Sequence, residues 1–168
     1  QLDFIMITHS HGDHTGGYNT IMDNFSVKTL IVKADGAKDP AHTMYKYLIE
    51  TANKKGTSIC DVKDPACQSF SLGNINFQLY NVNYLSSSIN SQGRFDNVNS
   101  ICAVATINGR KIYFTGDIGN YYGHDHESIT ARQVGDIDIY KVAHHGYTSF
   151  NNNLDALETI INYAMDKD

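Results

Sequence analysis

The sequence predicts a layered α/β domain in which mixed strands are covered by helices. In the first half of the chain, apolar runs of strand length alternate with helical patterns, as in parallel strands joined by crossover helices. The second half turns to period-two segments and hairpin signals, which indicate antiparallel pairing. The 168 residues contain no repeat and no linker. They therefore fit a single domain over 1–168 with a substantial core.

The first predicted strand covers residues 2–7, a near-continuous apolar run typical of a strand covered on both faces. A histidine-rich loop follows. Residues 15–25 then predict a short helix with Thr15 as its N-cap, because a threonine hydroxyl can accept a hydrogen bond from a free N–H of the first turn. A second strand is predicted at 28–33.

The longest predicted helix begins at Pro40 and ends near Lys55. Proline suits the first helical position, and Gly56 is the kind of residue that ends a helix. Apolar residues recur at helical spacing along it, as one buried face requires: Met44, Tyr45, Tyr47, Leu48 and Ala52.

In the second half, strands are predicted at 57–62, 74–82, 101–107, 110–115 and 137–142, and a closing helix at 153–166. Asn108-Gly109 lies between two of these strands and is a strong signal for a two-residue hairpin. The polar stretch 83–99 is predicted as a long loop, which in a compact domain is often functional.

Composition excludes several classes of protein. No apolar run approaches the ~20 residues needed to cross a bilayer, so no transmembrane segment is expected. The net charge is −5, and the only short basic clusters are Lys54-Lys55 and Arg110-Lys111. Because a protein that binds a nucleic acid backbone tightly shows a basic stripe, no stable nucleic-acid complex is expected. The composition does not determine the oligomeric state.

Two of the three cysteines, Cys60 and Cys67, flank a six-residue segment that could close as a small disulfide loop or carry two free thiols. A disulfide would favour an extracellular or cell-surface location over the cytoplasm. Cys102 lies in an apolar run and is expected to be a buried thiol.

The segment Thr8-His9-Ser10-His11-Gly12-Asp13-His14 carries the strongest chemical signal. His9 and His11 are two residues apart, so an extended backbone directs both imidazoles to one side. Asp13 and His14 come where the chain turns into a helix and can face a second ion. Imidazole nitrogen combined with carboxylate oxygen suits zinc and similar cations.

Two further candidates lie at strand ends, where sites collect in layered α/β sheets. Asp117 follows the strand 110–115 after a glycine, and His144-His145-Gly146 follows the strand 137–142. Each would be an ordinary turn by itself. Together with the first motif they predict a metal cluster.

The H-x-H-x-D-H run, the later Gly-Asp and the His-His-Gly resemble the metal-binding motifs of the metallo-β-lactamase superfamily. The resemblance runs from residue 1 to about 150. It implies an αββα sandwich with two metal ions at one edge of its two sheets. It also implies that His9 and His11 hold one ion, and that Asp13, His14 and His144 hold the other, with Asp117 bridging.

Strand alternation also places His144, not His145, on the side of Val142, so His144 is the expected ligand. His145 is then expected to contact substrate or support a ligand, and Asp13, Asp117 and His145 are the expected catalytic residues. His124 and His126 invite a metal interpretation too, but a solvated loop is the expectation there. Aromatic wall residues could receive a quaternary ammonium group: Tyr121, Tyr122 and Tyr147.

The chain departs from the family pattern at two points. Many members place another histidine where this chain has residues 96–100, so Asn99 or water is expected to complete the first site. His42 lies in a predicted helix and is expected at the surface. Members also normally begin with several strands before the histidine motif, so this chain is expected to be a fragment of a longer one.

The Asn-x-Asn-Ser, Asn-Gly and His-His-Gly patterns resemble one branch, which includes phosphorylcholine esterases and the hydrolase domain of DNA-uptake proteins. The resemblance implies a dinuclear hydrolase that acts on a small-molecule or polymer phosphodiester with zinc, or with manganese or iron. The alternatives are a DNA-uptake type of nuclease, a lactamase or thioesterase, and a non-catalytic metal-binding or sensor domain.

Overall fold

The computed structural model describes residues 1–38, 43–85, 95–121 and 124–146. The side chains at 95, 120, 121, 124 and 125 are outside this description. The closing helix predicted at 153–166, the predicted start at Pro40, and His42, Tyr122 and Tyr147 lie outside the described residues. None of the helices in the described ranges is both long and apolar enough to span a bilayer.

The first sheet consists of three parallel strands in the order β1-β2-β3: β1 (Leu2–Met6), β2 (Val27–Val32) and β3 (Ser58–Asp61). The strands β1 and β2 are mostly apolar, because both faces of this sheet are covered. Leu30 and Val32 point to one face, where they pack against helices, and Ile31 points to the other. The predicted strands in this half are confirmed.

Helices α2 (Tyr18–Asn24) and α3 (Thr43–Lys55) cover the first sheet, and the short helix α1 (Gly12–Thr15) precedes α2. Of the predicted apolar face of α3, Tyr45, Leu48 and Ala52 are buried, whereas Met44 and Tyr47 are exposed. Gly56, with a φ of 72°, lies directly after the last turn, as predicted.

The prediction of one helix over 15–25 with Thr15 as its N-cap is wrong. Gly16 and Gly17 separate α1 from α2, and two consecutive glycines disfavour a continuous helix. Thr15 is instead the last residue of α1, and its hydroxyl donates to the carbonyl of His11. Asp13 and His14 therefore lie on a single helical turn, which ends before the two glycines.

The second sheet has five strands in the order β10-β7-β6-β5-β4. They are β4 (Ser69–Leu72), β5 (Ile75–Tyr80), β6 (Cys102–Ile107), β7 (Arg110–Phe114) and β10 (Ile139–Lys141). All pairs are antiparallel except β10 with β7. Asn108 and Gly109, with φ of 50° and 78°, form the predicted hairpin turn.

Three cores stack between the layers. One lies between the first sheet and its helices, and one lies between the sheets, where Phe4 packs edge-on against Phe70 and Phe77. The third joins the outer face of the second sheet to α5 (His126–Val134). The layers therefore follow the order helix, sheet, sheet, helix, which confirms the αββα prediction.

Two helices lie where the sequence predicted loops. Helix α4 (Phe95–Val98) falls at the end of the predicted loop 83–99. Helix α5 begins at His126, and a small antiparallel pair, β8 (Asn120–Tyr121) with β9 (His124–Asp125), precedes it. The buried residues of α5 are mostly small or polar, so its sequence lacks an apolar stripe that would reveal the helix.

Of the two alternatives for Cys60 and Cys67, the structure has the disulfide. Cys60 and Cys67 form a disulfide with their Cα atoms 5.6 Å apart. It links β3 of the first sheet to the 3-10 turn Pro65–Cys67 that leads into β4 of the second. Cys102 is a free thiol and fully buried, as predicted.

Candidate metal centre

The histidine motif begins where β1 ends and continues into α1. His9 is fully buried, and its Nε2 lies 3.1 Å from Nδ1 of His11. The N–H groups of His14 and Thr15 both donate to the His11 carbonyl, which forms the turn into α1. His9 and His11 therefore converge on one point, as their spacing predicted, while Asp13 and His14 lie on the helical turn beside them.

Asp117 is the centre of the cluster. It follows β7 after a glycine, and only 1 % of its surface is exposed. Its Oδ2 atom lies within 4 Å of Nε2 in four histidines, at 3.2 Å from His14, 3.4 Å from His145, 3.8 Å from His144 and 3.9 Å from His9. Its other oxygen, Oδ1, is buried and has no hydrogen-bond partner among the residues that the structure describes.

The protonation of these groups suits cation binding. Burial lowers the pKa of His9 to about 2, and the nearby His14 and His11 rings lower it further, so this imidazole is neutral and keeps a free lone pair. Burial would raise the pKa of Asp117, but the hydrogen bond to His14 and the surrounding histidines outweigh it and lower the pKa to about 2. A buried carboxylate is thus ionised close to the neutral imidazole of His9.

Four of the residues form a compact group of possible ligands. One donor atom from each of Asp13, His14, Asp117 and His145 lies within 4.8 Å of the others. The side chains of Asp13 and His145 are 65 % and 56 % exposed, whereas Asp117 is buried, so the group opens to solvent on one side. Its donor set, together with the unpartnered Oδ1 of Asp117, fits a divalent cation such as zinc.

His144 and His145 lie in a tight turn, not on an extension of the strand. β10 ends at Lys141, and both histidines have left-handed backbone angles, with φ of 48° and 54°. The His144 N–H donates to the carbonyl of Gly116, which holds the turn beside Asp117. The geometry brings His145 into the group of four and leaves His144 at its edge. The choice of His144 as the ligand stays a prediction.

The hydroxyl groups of Thr8 and Ser100, which the sequence analysis did not single out, lie next to the Nδ1 atoms of the histidines. The Thr8 hydroxyl lies 3.0 Å from Nδ1 of His9 and 3.4 Å from Nδ1 of His14. The Ser100 hydroxyl lies 3.2 Å from the same His9 atom. Such contacts set the tautomer and orientation of a ligand. Ser100 belongs to the Asn-x-Asn-Ser pattern, which was the only signal in the sequence that could have found it.

The side chain of Asn99, the expected substitute for a missing histidine, is hydrogen-bonded to the backbone of Leu85, and its part in the first site stays a prediction. Its Oδ1 accepts from the N–H of Leu85, and its Nδ2 donates to the Leu85 carbonyl. The amide thus anchors the segment at residue 85. Among the other candidates, His126 begins α5, and His124 and Tyr121 are described by their backbone positions alone.

Comparison with known families agrees with this geometry. Residues 1–151 match the family described as "Beta-lactamase superfamily domain". Comparison with curated proteins found no significant match. The matched region contains every residue of the cluster around Asp117. The chain therefore belongs to the beta-lactamase superfamily, whose members are generally metal-dependent hydrolases that use divalent ions.

Proposed function

We propose that the protein is a dinuclear metal-dependent phosphodiesterase. The observation that carries the proposal is the Asp117 carboxylate. One of its oxygens lies among four histidine nitrogens, and the other is buried with no partner in the described part of the chain. A carboxylate in this position suits a bridge between two cations. His9 and His11 would hold one ion. Asp13 and His14 would hold the other, together with His144 or His145.

Two bound divalent ions would polarise phosphoryl oxygens and lower the pKa of an attacking water. The residues that would hold the ions lie where one side of the cluster is open to solvent. Asp117 is fixed at the bottom of the cluster. The Asp13 carboxylate, 3.5 Å from His14 and 3.6 Å from His145, lies at the solvent side. Asp13 is therefore placed to accept a proton from the attacking water. Whichever of His144 and His145 does not hold the ion is placed to contact the substrate.

The choice of phosphodiester among the superfamily's substrates rests on the resemblance of the Asn-x-Asn-Ser and His-His-Gly patterns to the phosphorylcholine-esterase and DNA-uptake branch. The net charge of −5 favours a small or polymeric phosphodiester over long DNA, whose phosphates need a basic surface. A choline-bearing surface polymer is the substrate that best combines these points.

The test is a comparison of substrates with protein loaded with zinc, manganese or iron. We expect two ions per chain by elemental analysis. Bis(p-nitrophenyl) phosphate and p-nitrophenylphosphorylcholine should be hydrolysed much faster than p-nitrophenyl phosphate. The Asp117→Ala variant should lose metal and lose activity by orders of magnitude, because Asp117 would be a ligand of both ions in this proposal.

Three results would count against the proposal. Preference for thioesters or lactams would replace the phosphodiesterase with another hydrolase of the same family. Cleavage of plain DNA without action on phosphorylcholine esters would favour the nuclease. Stable binding of two ions with no turnover of any substrate would favour a metal-binding or sensor domain.

A further inference from the structure

Asp96, on the short helix α4, contacts two residues of the histidine motif. The Ser10 hydroxyl donates to its Oδ1 at 2.5 Å, and Nε2 of His11 lies 3.4 Å from its Oδ2. Ser10 and Asp96 are 86 positions apart in the chain. The Asp96 side chain is 19 % exposed, so its charge lies largely inside the protein beside an imidazole.

The two nitrogens of the His11 ring face different neighbours. Nδ1 lies 3.1 Å from Nε2 of His9, at the point where these two histidines converge. Nε2 lies on the far side of the ring and faces Asp96. A neutral imidazole has a proton on one nitrogen and a lone pair on the other. A carboxylate at Nε2 stabilises the proton there and leaves the lone pair on Nδ1.

We propose that Asp96 is a positioning residue that holds His11 in the tautomer whose Nδ1 lone pair points to the same place as Nε2 of His9. A carboxylate that accepts from the outer N–H of a ligating histidine also makes the ligand more basic. This inference rests on the metal binding proposed above, but it does not depend on the substrate.

The placement of Asp96 separates this role from direct ligation. Its Oδ2 lies across the His11 ring from His9, and its Oδ1 is bonded to Ser10. Asp96 therefore acts on His11, not on an ion.

The segment that carries Asp96 is fastened to the motif at both ends. The Ser10 hydroxyl donates to the Asp96 carboxylate at one end, and the Ile101 N–H donates to the carbonyl of Thr8 at the other. Ser100, on the same segment, contacts Nδ1 of His9. Residues 96–100 thus contact both histidines of the first site. Asp96 contacts His11, and Ser100 contacts His9.

The test measures metal affinity and the position of a proton, with no need for turnover. We expect Asp96→Ala to weaken binding of one zinc ion by roughly 10–100-fold in competition with a chelator, and to leave the other ion's affinity unchanged. Asp96→Asn should be intermediate, because its amide oxygen still accepts but has no charge. Asp23→Asn removes a carboxylate that is ion-paired with Lys55, and this control should bind both ions normally.

In zinc-loaded wild-type protein, 15N NMR should show the His11 proton on Nε2. Zinc affinities that are unchanged in both Asp96 variants, or a His11 proton on Nδ1, would overturn the inference. Thermal melts of the zinc-free variants show whether Asp96→Ala folds. If it does not fold, the zinc affinity of Asp96→Asn tests the inference instead. A weakened site in a protein that hydrolyses no phosphodiester would support this inference while refuting the phosphodiesterase. Wild-type protein that binds no zinc would refute both.

Discussion

The backbone N–H of Asp117 donates to the hydroxyl of Ser100 at 2.9 Å, inside the protein. The same hydroxyl lies 3.2 Å from Nδ1 of His9, so one serine fixes both the central carboxylate and the most deeply buried histidine. This contact requires the backbone next to Asp117 to lie close to the segment that carries Ser100. Gly116, beside Asp117, has a φ of 57°, and a Cβ added to it would lie 2.9 Å from Cβ of Ser100 and 3.0 Å from Cβ of Thr8.

We expect Gly116→Ala to lower the free energy of unfolding more than a left-handed backbone angle alone would. That angle costs an alanine about 1–2 kcal/mol, and here Ser100 or Thr8 must also move. Gly135→Ala is the matched control, because Gly135 has a φ of 67° but no atom of the described residues lies within 4 Å of the added Cβ. Chemical denaturation of both variants measures the difference. Equal losses would show that the contact with Ser100 does not restrict residue 116.

The roles of His144 and His145 can be separated by alanine variants. Because His145 belongs to the group with Asp13, His14 and Asp117, we expect His145→Ala to lose one metal ion. His144→Ala should then retain both. Elemental analysis of the two purified variants measures this. The reverse result would support the sequence-based choice of His144 and would mean that the turn at Ala143–Gly146 rearranges around the ion.

Glu127 makes stability depend on pH. Burial raises the pKa of this carboxyl to about 7, although a hydrogen bond from the Tyr140 hydroxyl opposes the shift. The folded protein therefore binds a proton more tightly than the unfolded chain, and stability falls as pH rises from about 4.5 to about 7. The loss is on the order of 3 kcal/mol at most.

Glu127→Gln should remove this dependence, because the amide does not ionise, and should be more stable than the wild type at pH 8. Urea denaturation at pH 5, 6, 7 and 8 of both proteins is the measurement, and histidines common to both cancel in the difference. A constant difference in unfolding free energy over this range would show that Glu127 does not titrate there.

The Cys60–Cys67 disulfide should stabilise the domain modestly. The cysteines are separated by 7 positions, so the closed loop is short, and its entropic contribution is about 2–3 kcal/mol. We expect the double Cys→Ser variant to unfold at lower temperature than the oxidised wild type. A reductant should lower the wild-type Tm to that of the variant and leave the variant unchanged. If the reductant lowers the Tm of both proteins equally, the disulfide is not the cause of the difference in Tm.

Local pattern predicted much of the fold. The two-residue spacing of His9 and His11 after an apolar strand, the Asn108-Gly109 turn and the buried face of α3 each depend on neighbours within a few positions, and all three are present. Local pattern did not predict a helix whose buried side chains are mostly small or polar. Helix α5 buries Glu127, Ser128 and Thr130, and its polar side chains concealed a helix that tertiary packing makes favourable.

The sequence by itself determined which residue types are present to bind metal and at which strand ends they lie, because those features are local. The tertiary structure decided which of them meet. The contacts of Asp117 with His14 and of His145 with His14 span 103 and 131 positions, and the contact of Ser10 with Asp96 spans 86. No local periodicity encodes such pairs, since they arise when two sheets pack and bring separate strand ends to one edge.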